Sequence, residues 1–224
     1  MKFETVSYGD ERADTLLLQM TDDHDMELME RETAFIRELS GGKSFCLKAV
    51  HVNSWNHDLS PWKAPAAFGS ENFGDGAADT LAYLLKELIP DAEAERAAGR
   101  KIYIGGYSLA GLFALWAVCN ADCFDGAAAA SPSVWFPGFT EYLRESVVRA
   151  RAVYLSLGDR EEKTRNRYLS QVGNAVRGSF DILQQKGIDS VLEWNKGNHF
   201  TEPDLRTARA FAWLMNRGGG APEQ

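Results

Sequence analysis

The 224-residue sequence has only three cysteines, Cys46, Cys119 and Cys123, and an odd set of thiols cannot make a complete disulfide framework. The nearest approach to metal-ligand spacing is one C-x-x-x-C across 119–123, inside a helical pattern, so small buried thiols in a reducing compartment are expected and no metal is. No apolar run reaches the ~20 residues of a membrane span. The N-terminal MKFETVSYGD has no apolar core able to act as a signal peptide. A cytoplasmic protein with no membrane partner is the expectation. Basic residues are also scarce, with 24 Lys and Arg against 32 Asp and Glu and a formal net charge of −8. Nucleic acid and anionic membranes both require clustered cations, which argues against either as partner. The longest basic stretch is the broken run Lys163, Arg165, Arg167, read as a solvated face. No internal repeat is visible, and low complexity is confined to RGGGAPEQ at 217–224, expected to be a flexible tail.

What is present is an ordinary globular composition, 45% apolar and 25% charged, over a length that suits one domain, here 1–216. Short β-rich apolar runs occur at 15–20, 45–52, 101–106, 126–131, 152–158 and 190–194. Helical patterns lie between them. Leu28, Met29, Phe35, Ile36 and Leu39 form a stripe interrupted by Glu32, and Leu81, Leu84, Leu85 and Leu88 form another stopped by Pro90. Further stripes begin at Leu112, run from Tyr168 to Leu183, and run from Leu205 to Met215. Strand and helix in alternation imply an α/β fold with a mostly parallel central sheet and helices on both faces. Ligands of such sheets bind at the carboxyl ends of the strands. Chemistry is therefore sought just after each apolar run.

After the run at 101–106 comes GGYSLAG, residues 105–111. Gly106, Ser108 and Ala110 form G-x-S-x-A at a strand-to-helix junction, the pattern of a nucleophile elbow: the serine sits on a sharp turn whose flanking residues are pressed together and must be nearly without side chains. A serine hydroxyl is a weak nucleophile without a base beside it. Of His24, His51, His57 and His199, only His199 follows the last strand run, in KGNHFTEPDL before the C-terminal helix, and the other three are taken as non-catalytic. An orienting carboxylate is expected between Ser108 and His199. YLSLGDREEK offers Asp159, Glu161 and Glu162; Glu161 is preferred because three residues beyond Gly158 let the loop turn back, and Asp159 stays open as its rival. Leu109 N–H is the expected first oxyanion donor, with Met20 or Thr21 supplying the second.

With Ser108, Glu161 and His199 in place, the chain resembles the esterase branch of the α/β-hydrolases that includes esterase D-like, feruloyl esterase-like and enterochelin esterase-like enzymes. The resemblance rests on GGYSLAG, SPSVWFPGF at 131–139, GDRE at 158–161, GNHF at 197–200 and SWNHDLSPW at 54–62. It implies an α/β-hydrolase fold, ester hydrolysis through an acyl-enzyme, and no cofactor. Two departures stand out: Ala110 replaces the more usual glycine, and the acid is Glu rather than Asp.

Residues 132–151 are too few for a separate lid domain, so the serine is expected to lie open to solvent. The long loop 53–76 carries Trp55, Trp62, Phe68 and Phe73, which with Trp135 and Phe136 either wall a substrate pocket or pin the loop to the body. Tyr107, Trp55 and Trp135 are the residues expected to face a small-molecule ester. Acyl transfer to an alcohol, and a binding protein on an inactive hydrolase fold, are the alternatives. Aromatic loops leave a homodimer open.

Overall fold

The computed structural model describes residues 2–67, 69–166 and 168–217. Phe68 of the aromatic loop, Arg167 of the basic run and residues 218–224 of the tail lie outside the described residues. Arg217, read from sequence as the start of the tail, is the last residue of a helix.

In chain order the elements are β1 Glu4–Gly9, β2 Thr15–Thr21, α1 Asp23–Leu39, β3 Cys46–His51, α2 Trp55–Asp58, α3 Ala77–Tyr83 with a π-helical turn Leu84–Leu88, α4 Ala92–Ala97, β4 Lys101–Tyr107, α5 Leu109–Asn120, β5 Gly126–Ala130, α6 Phe139–Glu145, β6 Ala152–Gly158, a 3₁₀ turn Leu169–Gln171, α7 Val172–Gln185, β7 Asp189–Asn195 and α8 Pro203–Arg217. The seven strands make one sheet in the order β1-β3-β2-β4-β5-β6-β7. All neighbours are parallel except β1, which runs antiparallel along β3 from Glu4 opposite His51 to Gly9 opposite Cys46.

The central strands are buried on both faces, which is why they read as continuous apolar runs. Their side chains divide with the pleat. Leu16, Leu18, Met20, Ile102, Ile104, Val153 and Leu155 join one core with Phe113 and Leu112 of α5 and Val176 and Leu183 of α7. Leu17, Leu47, Tyr103 and Tyr154 face the other way, against Met29 and Ile36 of α1 and Phe211 and Leu214 of α8. Helices thus cover both faces. Two positions under α8 carry no side chain: a Cβ on Gly105 would lie 2.7 Å from Phe211 Cζ, and one on Gly126 would lie 2.8 Å from Leu214 Cδ2. Glycine there lets the helix sit close to the sheet.

Three short helices escaped the periodicity. α4 buries no residue, so it has no apolar stripe to read; it forms because Asp91 accepts from Ala94 N–H at 2.9 Å and the sequence AEAERA favours helix. α2 and α6 are too short for a period. Between β5 and β6 the chain forms α6 alone. No helix among the described residues is long and apolar enough to cross a membrane.

Candidate active site

β4 ends at Tyr107, α5 begins at Leu109, and Ser108 is the single residue between them, at φ 56° and ψ −117°. A non-glycine residue seldom holds such a conformation unless its surroundings impose it. Ser108 N–H donates to Ala130 O at 3.0 Å, and its carbonyl accepts from Leu112 N–H and from Ser133 N–H. Gly106, at φ 153°, has no room for a side chain, because a Cβ there would lie 2.5 Å from Ala110 Cβ. One methyl group fits between positions 106 and 110, so the Ala110 departure is accommodated as long as residue 106 is glycine.

His199 stands between β7 and α8 on a loop tied at both ends. Asn198 N–H donates to Thr201 Oγ1 at 3.2 Å, Phe200 N–H donates to Asn198 Oδ1 at 2.9 Å, and Tyr107 Oη donates to the His199 carbonyl at 2.8 Å. The ring lies 3.0 Å from Ser108 Oγ through Nε2 and 2.7 Å from Glu161 Oε2 through Nδ1. An ionised carboxylate only accepts, so Nδ1 carries the proton and Nε2 presents its lone pair to the serine hydroxyl.

Glu161 occupies the turn after β6 and is buried. Burial by itself would push its carboxyl up, but the hydrogen bond and charge of His199, the Gly158 amide and the Ser131 hydroxyl together hold it below the ordinary range. The rival, Asp159, is placed elsewhere: its Oδ1 accepts from Gly197 N–H at 2.9 Å, which helps to shape the histidine loop. Sequence reasoning missed Arg206, whose Nη1 lies 2.9 Å from Glu161 Oε1. An arginine near the start of a C-terminal helix gives no sign in the sequence that it points inward.

Two recesses meet at Ser108, His199 and Phe200. The first, of about 280 Å³, is lined by Trp135, Leu169 and Val172, with Ser131, Ser133 and Glu161 at its polar end. The second, of about 180 Å³, is lined by Asp22, His24, Asp25, Trp55, Tyr107 and Pro203. Trp135 and Trp55 therefore line different recesses. Tyr107 lines the second with its hydroxyl already committed to the His199 carbonyl. Burial and the adjacent Asp22 push the Asp25 carboxyl up to about 7. Trp62 and Phe73 each pack edge to face on Phe136 and pin the long loop instead. His51 pairs with Asp23 at 2.9 Å, and His57 packs beneath Gly74 and Gly76.

Leu109 is the first residue of α5, where helix N–H groups have no partner within the helix. Met20 and Thr21 end β2 fully buried. The next residue, Asp22, is the one from that turn which lines a recess.

Among solved structures the chain is similar to the siderophore hydrolase EstA from Aspergillus nidulans, at 20% identity and TM-score 0.70 over 93% of this chain and 85% of that one. It is also similar to an IroE-like serine hydrolase from Shewanella oneidensis, at 16% identity and TM-score 0.74 over 94% and 75%. A ferulic acid esterase matches at 13% identity and TM-score 0.58 over 97% and 100%. The chain has the α/β-hydrolase fold. No family model and no curated protein matches it. Within this hydrolase fold the serine, the carboxylate and the imidazole follow β4, β6 and β7, at the carboxyl edge of the sheet.

Proposed function

We propose that the protein is a serine hydrolase of carboxylic esters. The observation that carries this reading is the hydrogen-bonded row of Ser108 Oγ, His199 Nε2 and Nδ1, and Glu161 Oε2, at 3.0 and 2.7 Å, on a strained elbow open to an apolar recess. Ser108 Oγ attacks the ester carbonyl while His199 Nε2 takes its proton; the C–O bond to the alcohol breaks and the same proton leaves with that alcohol. Water then adds to the acyl-enzyme, again deprotonated by His199, and the acid departs as Ser108 regains its proton. Glu161 fixes the Nδ1–H tautomer and stabilises the imidazolium that forms in each half. Leu109 N–H is the first oxyanion donor. The second comes from the turn at the end of β2, from Met20 or Thr21, since Asp22 N–H donates to Asp25 Oδ2 at 3.4 Å. No metal or organic cofactor takes part in these steps.

The fold's esterase neighbours support ester chemistry in general terms. Hydrolysis is favoured over acyl transfer because the His199 side chain is 34% exposed and water reaches it directly. The apolar recess beside Trp135 suits an acyl or aryl group. The test is steady-state hydrolysis of a panel of neutral esters by wild type and Ser108→Ala. Turnover is expected to fall by about 10⁴-fold or more in the variant, with the fold retained. Retained kcat would remove the mechanism.

A further inference from the structure

Arg206 is the fourth residue of α8, yet its side chain is only 2% exposed. Its Nη1 lies 2.9 Å from Glu161 Oε1, 3.0 Å from Tyr107 Oη and 3.2 Å from Ser131 Oγ, and its Nη2 donates to Lys196 O at 3.0 Å. These partners come from four separate places: the acid turn, the end of β4 just before Ser108, the residue after β5, and the loop leading to His199. The other buried carboxylate at this end of α8, Asp204, is already paired with Arg31. Glu161 is the charge that Arg206 answers. Taking a guanidinium out of water is costly, so its presence here calls for an account beyond packing.

Resting on the serine-hydrolase reading, we infer that Arg206 is a positioning residue that aims Glu161 and tempers its pull on His199. Oε1 accepts from Arg206, from Gly158 N–H at 2.7 Å and from Ser131 Oγ at 2.8 Å, which fills that oxygen and leaves Oε2 to the imidazole. The carboxylate is thus fixed in rotation about its last bond. The second effect is electrostatic: the ring shares a recess with Asp22, His24 and Asp25, but Glu161 is the carboxylate hydrogen-bonded to it. An unopposed carboxylate 2.7 Å from the ring favours the imidazolium, which cannot act as a base; a cation on the far oxygen offsets that field. Through Tyr107 Oη, which accepts from Arg206 and donates to the His199 carbonyl, the same side chain also braces the loop that carries the base.

The experiment compares wild type, Arg206→Gln and Arg206→Lys. Active sites are counted by fluorophosphonate labelling, and kcat/KM for a neutral ester is followed across the pH range. In Arg206→Gln, kcat per labelled site is expected to fall on the order of tenfold, and the acid limb of the profile to move up by about one pH unit. Arg206→Lys keeps the charge and loses the fork of donors, so its limb stays at the wild-type position while kcat per site falls several-fold. A merely structural role would change the number of active sites and leave the limb in place. An unmoved limb in Arg206→Gln, or a displaced one in Arg206→Lys, overturns the inference. If the Gln variant does not fold, the Lys arm decides: a several-fold loss of kcat per labelled site with the limb in place supports the inference, and a wild-type kcat per site or a displaced limb overturns it. An unlabelled wild type would refute the serine-hydrolase reading itself; a labelled wild type whose Arg206 variants keep its profile would refute only this role.

Discussion

Phe200 follows His199 directly, borders both recesses and is 86% exposed, with its ring edge on the imidazole at 5.6 Å. An apolar ring left in water beside a nucleophile gains hydrophobic stabilisation only when something covers it. Phe200→Ala is therefore expected to lower kcat/KM for a long apolar acyl ester by about tenfold while changing acetate esters by about twofold or less. Equal losses on a p-nitrophenyl hexanoate and a p-nitrophenyl acetate would contradict this. Glu32 is the opposite case, a carboxyl where a stripe of apolar residues calls for a hydrophobe. It is buried, accepts from Gln19 Nε2 at 3.3 Å, and its Oε1 has no partner among the described residues. Burial first, then the charges of Asp25 and Asp204, push it well above the ordinary carboxylate range, against the Gln19 hydrogen bond. The folded chain thus holds a proton that the unfolded chain releases. Stability is fully present below the unfolded value, near 4.3, and declines as pH rises towards the folded one. Glu32→Gln is expected to raise Tm by a few degrees at pH 8, and by less at pH 5. A gain that does not depend on pH, read by thermal unfolding, would show that Glu32 is ionised in the fold.

At the scale of elements, legibility followed steric necessity. The elbow could be read because its backbone tolerates only glycine at 106 and a small residue at 110. The histidine could be read because one candidate alone followed the last strand. Glu161 was chosen on loop length and Asp159 could not be dismissed, since a carboxylate's direction depends on which donors surround it, here Gly158, Ser131 and Arg206. Arg206 left no trace, because an inward turn at a helix end is a property of geometry. The close seating of α8 on the sheet was likewise hidden in residues that lack side chains. Gly105→Ala would drive a methyl group to 2.7 Å from Ala128 Cβ and from Phe211 Cζ. It is expected to cost about 1–3 kcal/mol in urea unfolding with m unchanged. Because α8 carries Arg206 and follows His199, activity should decline with it. Wild-type stability in this variant would show that the helix can move away freely.

The whole molecule is a parallel sheet with one antiparallel strand at its edge, and the alternation of strand and helix was enough to place the site at the carboxyl ends. β1 was not among the six runs read from the sequence, since a six-residue edge strand with no buried residue offers no apolar run. Every group assigned a chemical role lies on that one edge of the sheet, and Ser108 is where the assignments converge. The most direct measurement is labelling with a fluorophosphonate read by intact mass, for wild type, Ser108→Ala and His199→Ala. One adduct on wild type, absent from both variants, is the predicted result. A folded wild type that takes no adduct, or a Ser108→Ala variant that still takes one, would contradict the account.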